Sequence, residues 1–296
     1  MSRRPRALAL VGVVVALLVL AGAAPAGAET APWPAGEYVD DAHRSFLGRA
    51  PSEVERSRWA PTVELGHRGA LTRALAASDE WAGARIDELY RTVLGRPADP
   101  AGRAHWVRHV AAGHTLESVA ALLYGSGEYW SAAGGTAPGF VEAIYADVLG
   151  RTPDEEGRRH WVATVEAGTP TAAVAAGFYG SLESRLDRVT ALFHAVLGRA
   201  PDDAGAAYWV DVVPRLGDVA LAAALAASAE RWTAATGTEA PATPARGTGT
   251  GHQPFATAGP VVLHHPVAAG EVVGFHESGH DGSQQLAPRA TGLRTL

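Results

Sequence analysis

The sequence predicts an all-α protein of four tandem three-helix repeats, followed by a disordered linker and a short β-prone tail. Three observations carry this. The first is a recurring Leu-Gly-Arg with a Trp twelve residues after its Leu: Leu47-Gly48-Arg49 with Trp59, Leu94-Gly95-Arg96 with Trp106, Leu149-Gly150-Arg151 with Trp161, and Leu197-Gly198-Arg199 with Trp209. Fixed spacing over several copies marks tandem structural units. The second is apolar residues at helical spacing before each motif, as at Ile86, Leu89, Tyr90, Val93 and Leu94. The third is a Ser-x-Glu beyond each Trp: Ser78/Glu80, Ser126/Glu128, Ser181/Glu183 and Ser228/Glu230.

Residues 1–28 read as a signal peptide. Arg3, Arg4 and Arg6 precede an apolar run, and Ala26-Gly27-Ala28 fits a small-x-small cleavage site. The rival is a retained anchor, because Ala7 to Ala24 is just long enough to span a bilayer. Pro25 breaks that run and favours cleavage. The chain has no Cys, so an exported form must be stabilised by its own core. The formal charge is −6, and residues 1–28 hold three Arg and no acid, leaving about −9 after cleavage. That balance disfavours nucleic acid and anionic membrane as partners, and no stable membrane insertion is expected after cleavage.

Repeat 1 is placed at 37–82, repeat 2 at 84–130, repeat 3 at 139–185 and repeat 4 at 186–232. In repeat 2 the first helix ends at Gly95, where a left-handed residue suits a helix C-terminus. Asp99 and Pro100 then supply an N-cap and a first helical position. The second helix carries Trp106, Val107 and Val110 and stops at Gly113. The third presents Val119, Leu122 and Leu123 inward and ends around Ser126-Gly127-Glu128.

Ser52, Asp154 and Asp202 match Asp99 as caps. Gly157 and Gly205 match Gly102, whereas repeat 1 has Glu55 there, and Pro61 predicts a shorter or bent second helix in that copy. An insertion at Ser131 to Pro138 lengthens the middle interval and reads as a hinge dividing the array into two pairs. Residues 233–258 read as a disordered linker. In the tail at 259–296, Val261 to His264 and Glu271 to Phe275 are β-prone.

The pattern Leu-Gly-Arg-x-Pro-Asp-x-x-Gly-x-x-x-Trp, as at Leu149 to Trp161 and Leu197 to Trp209, resembles the DUF4214 family over roughly residues 37–232. Repeat 1, lacking the Asp and the Gly, departs from it as a degenerate cap. The resemblance implies a helical fold in exported or surface-associated bacterial proteins and supplies no catalytic residue. The tail Val272-Val273-Gly274-Phe275-His276-Glu277 resembles the segment preceding lysostaphin-type peptidoglycan hydrolase domains, whose own metal motifs would lie beyond the chain.

His276, Glu277 and His280 match H-E-x-x-H, which holds zinc when both imidazoles project from one helix face. Gly279 and Asp281-Gly282 oppose a helix there, so the bland reading is a His-containing tail. The Asp-x-x-Gly loops lack the alternating oxygen ligands of a calcium loop and read as caps. The repeat tryptophans read as core. Trp81, Trp130 and Trp232, placed at third-helix ends, are the candidate ligand-binding residues. Arg96 is expected to meet Glu128.

The function expected is a secreted, non-catalytic repeat protein at the cell surface or outside the cell. Its expected partner is cell-wall polysaccharide or a surface protein, with no cofactor. The alternative is a metal-dependent or cell-wall hydrolase, or its remnant, acting through the tail.

Overall fold

The computed structural model describes residues 34–242. The segments read as a signal peptide (1–28) and as a β-prone tail (259–296) lie outside them. Repeat 1 supplies α1 (Pro34–Leu47), α2 (Glu53–Glu64) and α3 (Arg68–Ala76). Repeat 2 supplies α4 (Asp79–Leu89), which continues as a π turn over Tyr90–Leu94, then α5 (Pro100–Ala111) and α6 (Leu116–Tyr124). A short α7 (Gly127–Ala132) leads into repeat 3, with α8 (Ala137–Leu149), α9 (Glu155–Glu166) and α10 (Thr171–Gly180). Repeat 4 holds α11 (Leu182–Leu197), α12 (Asp203–Leu216) and α13 (Asp218–Ala226), and α14 (Ala229–Thr236) closes the described chain. No strand occurs among the described residues, and no helix there is long and apolar enough to cross a membrane.

The repeated motif works as local physics requires. Gly95 takes φ 72° and ends its helix in the left-handed conformation, as Gly48, Gly150 and Gly198 do in theirs. Asp99, Asp154 and Asp202 each accept the amide three residues on, at 2.8, 2.7 and 2.7 Å. In repeat 1 Ser52 does the same within a capping box, whose other half is Glu55. Pro61 does not shorten α2, which has the same 12 residues as α5 and α9. A proline near a helix C-terminus removes one internal bond and leaves the capped first turns intact.

The Ser-x-Glu signature has the opposite role from the one expected. It starts a helix: Ser78, Ser126, Ser181 and Ser228 are N-caps, each accepting the amide three residues ahead at 3.1–3.2 Å. The third helices have already stopped at Ala76, Tyr124, Gly180 and Ala226. The helix begun by Ser78 becomes the first helix of repeat 2, and the one begun by Ser181 becomes that of repeat 4. Between repeats 2 and 3 the insertion splits the same element into α7 and α8, turning at Gly134 and Gly135 with φ of 101° and 67°. The copy begun by Ser228 is α14, which runs to Thr236 and so takes the first residues of the stretch read as linker.

The insertion does not separate two pairs. Repeats 2 and 3 pack through α6 and α10, where Thr171 Oγ1 donates to the Gly125 carbonyl at 2.7 Å. A β-carbon at Gly125 would collide with the backbone of Ala172, so only glycine admits this approach. Repeats 1 and 4 meet in a related way through α3 and α13. There Thr72 Oγ1 donates to the Ala223 carbonyl at 3.0 Å and Arg68 Nε to the Ala227 carbonyl at 3.2 Å. The array thus closes on itself: α14 packs on α1, where Arg231 pairs with Asp41 at 2.6 Å, and Tyr38 of α1 donates to the carbonyl of Ala226, the last residue of α13, at 2.6 Å. One apolar core runs through all four repeats.

Candidate functional site

The signature arginines are fully engaged. Arg96 holds Glu128 through Nε and Nη2, both at 2.7 Å. Arg151 holds Glu183 at 2.6 and 2.9 Å, and Arg199 holds Glu230 at 2.7 and 2.6 Å. Arg49 holds Glu80 at 2.6 and 2.8 Å and Glu55 as well, at 2.9 and 2.8 Å. The geometry in every copy is the planar fork that guanidinium and carboxylate prefer. Each fork ties the end of a first helix to the first turn of the helix that follows the third. The guanidinium holds the carboxyls of Glu80, Glu128 and Glu183 below their ordinary range. Because both partners are substantially exposed, each pair contributes only about 0.2–1 kcal/mol.

Behind the forks of repeats 2 and 3 lies an aromatic pair. Trp106 Nε1 donates to the Tyr90 hydroxyl at 2.9 Å, and Arg96 sits over the Tyr90 ring, 5.3 Å from its centroid. Gly102 leaves room for that hydroxyl, since a β-carbon there would lie 3.0 Å from it and the Tyr90 ring would have to give way. Tyr145, Trp161 and Gly157 repeat the arrangement. In repeat 1 His43 replaces the tyrosine, and there the glycine becomes Glu55. In repeat 4 Phe193 replaces it, and the buried Trp209 Nε1 has no hydrogen-bond partner. Phe193→Tyr should therefore supply the missing acceptor, because Gly205 holds the position at which Gly102 and Gly157 flank the tyrosine hydroxyls. A gain of about 1 kcal/mol is expected in urea unfolding, with a comparable loss for Tyr90→Phe.

The three candidate ligand-binding tryptophans are not equivalent. Trp81 and Trp232 are 4% and 2% exposed, which corrects the expectation that they stand at open helix ends. They lie in the first turns of α4 and α14, whose inward faces continue the core. Trp81 packs beside Phe46 at 6.5 Å. Trp232 lies 5.2 Å from Tyr38 and donates to Thr238 Oγ1 at 3.1 Å.

Like the repeat tryptophans Trp59 and Trp161, and alone of these three candidates, Trp130 is half-buried. Its ring is 5.7 Å from Phe140, and the insertion folds back over it, Gly135 N donating to the Trp130 carbonyl at 3.0 Å. Ser131, Ala132, Gly134, Gly135 and Thr136 around it are exposed. The result is an indole framed by small residues, an apolar surface with little side-chain bulk to screen it. His276, Glu277 and His280 lie outside the described residues.

Three histidines gather at the end of α5 without a motif that marks them. His109 stacks on His114, with centroids 3.7 Å apart, and His105 lies 6.3 Å from His109. Burial, then the charges of His114 and His105, push His109 down to about 4. The i, i+4 spacing of His105 and His109 was the readable signal. Among the described residues no three His, Asp or Glu side chains converge on a metal position. An open groove of about 620 Å³ between α4 and α5 is lined by Asp87, Arg91, Arg103 and Val107. Arg103 and Asp87 are paired across it at 3.0 Å.

The family model of DUF4214, a domain of unknown function, matches residues 83–132 and 120–188. These segments hold repeats 2 and 3. No curated protein and no solved structure matches the chain.

Proposed function

Residues 83–188 belong to the DUF4214 family, and on that premise we propose that the chain is an exported, non-catalytic scaffold for interaction at the cell surface or outside the cell. Its partner on this reading is an envelope polysaccharide or a surface protein. The observation that carries it is Trp130, a half-buried indole at the one place where an insertion interrupts the repeat. Flat apolar rings with a polar edge suit sugar faces and protein surfaces alike. The signature Arg, Asp and Ser side chains support the same reading, because each is occupied in joining or capping helices. The leader-like N-terminus supports export.

Co-sedimentation with isolated cell walls tests the proposal. Wild type should pellet with walls, and Trp130→Ala should raise the dissociation constant about tenfold, the scale of a lost aromatic contact worth roughly 1.4 kcal/mol. A melting curve must accompany the variant, since Trp130 also touches Phe140. Failure of the folded wild type to bind walls or their extracted polysaccharides would remove the glycan reading and leave a protein partner to be sought on the same surface.

A further inference from the structure

The N-terminus of α13 lacks a cap of its own. Gly217 occupies the cap position and has no side chain to offer. Its role is taken by a residue of another repeat: Glu117, in the first turn of α6, accepts the Asp218 amide on Oε1 at 2.7 Å. Asp218 itself is buried, 3% exposed, and its Oδ2 accepts from Arg188 Nε at 2.7 Å. Arg188 also donates through Nη1 to the Tyr179 carbonyl at 2.9 Å and to Ser184 Oγ. Residues from repeats 2, 3 and 4 thus converge where α6, α10, α11 and α13 meet.

Two atoms are left over. Asp218 Oδ1 and Glu117 Oε2 are both buried and have no hydrogen-bond donor. A buried acceptor without a donor is costly, and more so as part of an ionised group. The charges do not balance either, since Arg188 alone faces two carboxylates. The other ionisable groups turned toward this point are Tyr179 from α10 and Tyr124 from α6. Neither supplies a positive charge. The Asp218 and Glu117 side chains interact directly, and the two acids resolve both deficits by holding one proton between them, as a donor from one to the free oxygen of the other.

We propose that Asp218 and Glu117 share a single buried proton that fastens repeat 4 to repeat 2, and that the closed array loosens when this proton is lost. With the proton present, the cluster is neutral and both orphaned oxygens are satisfied. Without it, a net negative charge stays buried at the junction of three repeats.

The titration agrees in direction. Burial first, and the Glu117 charge second, push Asp218 up to about 7, with Arg188 opposing both. An acid raised in the folded state binds a proton that the unfolded chain releases. Its stabilising effect is therefore complete below the ordinary Asp range and is lost as pH rises toward 7 and beyond. His109, pushed down instead, acts with the opposite sign at lower pH, so wild type alone does not isolate the pair.

Thermal unfolding of the full chain at about pH 5 and pH 8 provides the test, comparing wild type with Asp218→Asn and Glu117→Gln. Asn and Gln mimic the protonated acid without titrating. Wild type should lose several degrees relative to Asp218→Asn on going to the higher pH, and the variants should show flat difference profiles. Equal pH slopes in all three proteins would overturn the proposal. Should the variants fail to fold, infrared spectra of wild type decide. A protonated-carboxyl band near pH 6 that vanishes by pH 8 supports the shared proton, and its absence near pH 6 overturns it.

Discussion

Arg188→Leu is expected to destabilise the protein by about 3–5 kcal/mol at neutral pH, the usual result of deleting one member of a buried ion pair. Arg188 is almost wholly buried, with 10% of its side chain exposed, and is the cation facing Asp218 and Glu117. Leucine fills much of its volume but leaves Asp218 Oδ2, the Tyr179 carbonyl and Ser184 Oγ without their donor. The loss is a large part of the roughly 5–15 kcal/mol that holds a domain folded. Urea unfolding at constant pH measures it. Adding Asp218→Asn to Arg188→Leu should recover part of the loss by removing a buried charge. A deficit under about 1 kcal/mol for Arg188→Leu would mean that water reaches the cluster and screens it.

The second large effect is steric. Gly125→Val should cost about 3 kcal/mol, at the upper end of what overpacking a close contact costs. At most tight glycines a neighbouring side chain swings away. Here the obstacle is the Ala172 backbone, and the first turn of α10 must move as a unit. That movement also breaks the bond from Thr171 to the Gly125 carbonyl. Gly127→Ala, two residues along, is the matched control, because a β-carbon there meets nothing within 4 Å. It should leave stability unchanged or raise it by about 0.4–1 kcal/mol through the unfolded chain. Equal melting temperatures for the two variants would show that α6 and α10 do not approach as closely as the structure places them.

Much of the architecture is legible in the sequence because it is written in short-range signals. The left-handed Gly95, the Asp99 cap and the helical spacing around Tyr90 act within one or two turns. The Arg96–Glu128 contact is legible for a related reason: the separation recurs with the repeat, and the two residue types admit one strong geometry.

The Ser-x-Glu signature is the instructive error. Placed after the third helix it reads as that helix's end, yet Ser followed by an acid is a better start signal than a stop. Read as a stop, it places Trp81 and Trp232 on open ends, whereas both sit in first turns facing the core. Closure between repeats 1 and 4 is not legible at all. It rests on Tyr38, Arg68 and Thr72 bonding to backbone carbonyls more than 150 residues away, and a carbonyl carries no sequence identity. The Glu117–Asp218 pair is hidden likewise, since both look like ordinary first-turn acids.

The contact between the first and last repeats also bears on how the chain unfolds. In an open row of repeats, stability is close to a sum of unit and nearest-neighbour terms, and the outer units fray first. Here neither outer unit has a free inner face, and removing either strips the other of its partner. Melting is therefore governed by one cooperative free energy for the whole set of four. The same closure limits growth, because a fifth unit would find no vacant third helix on which to dock.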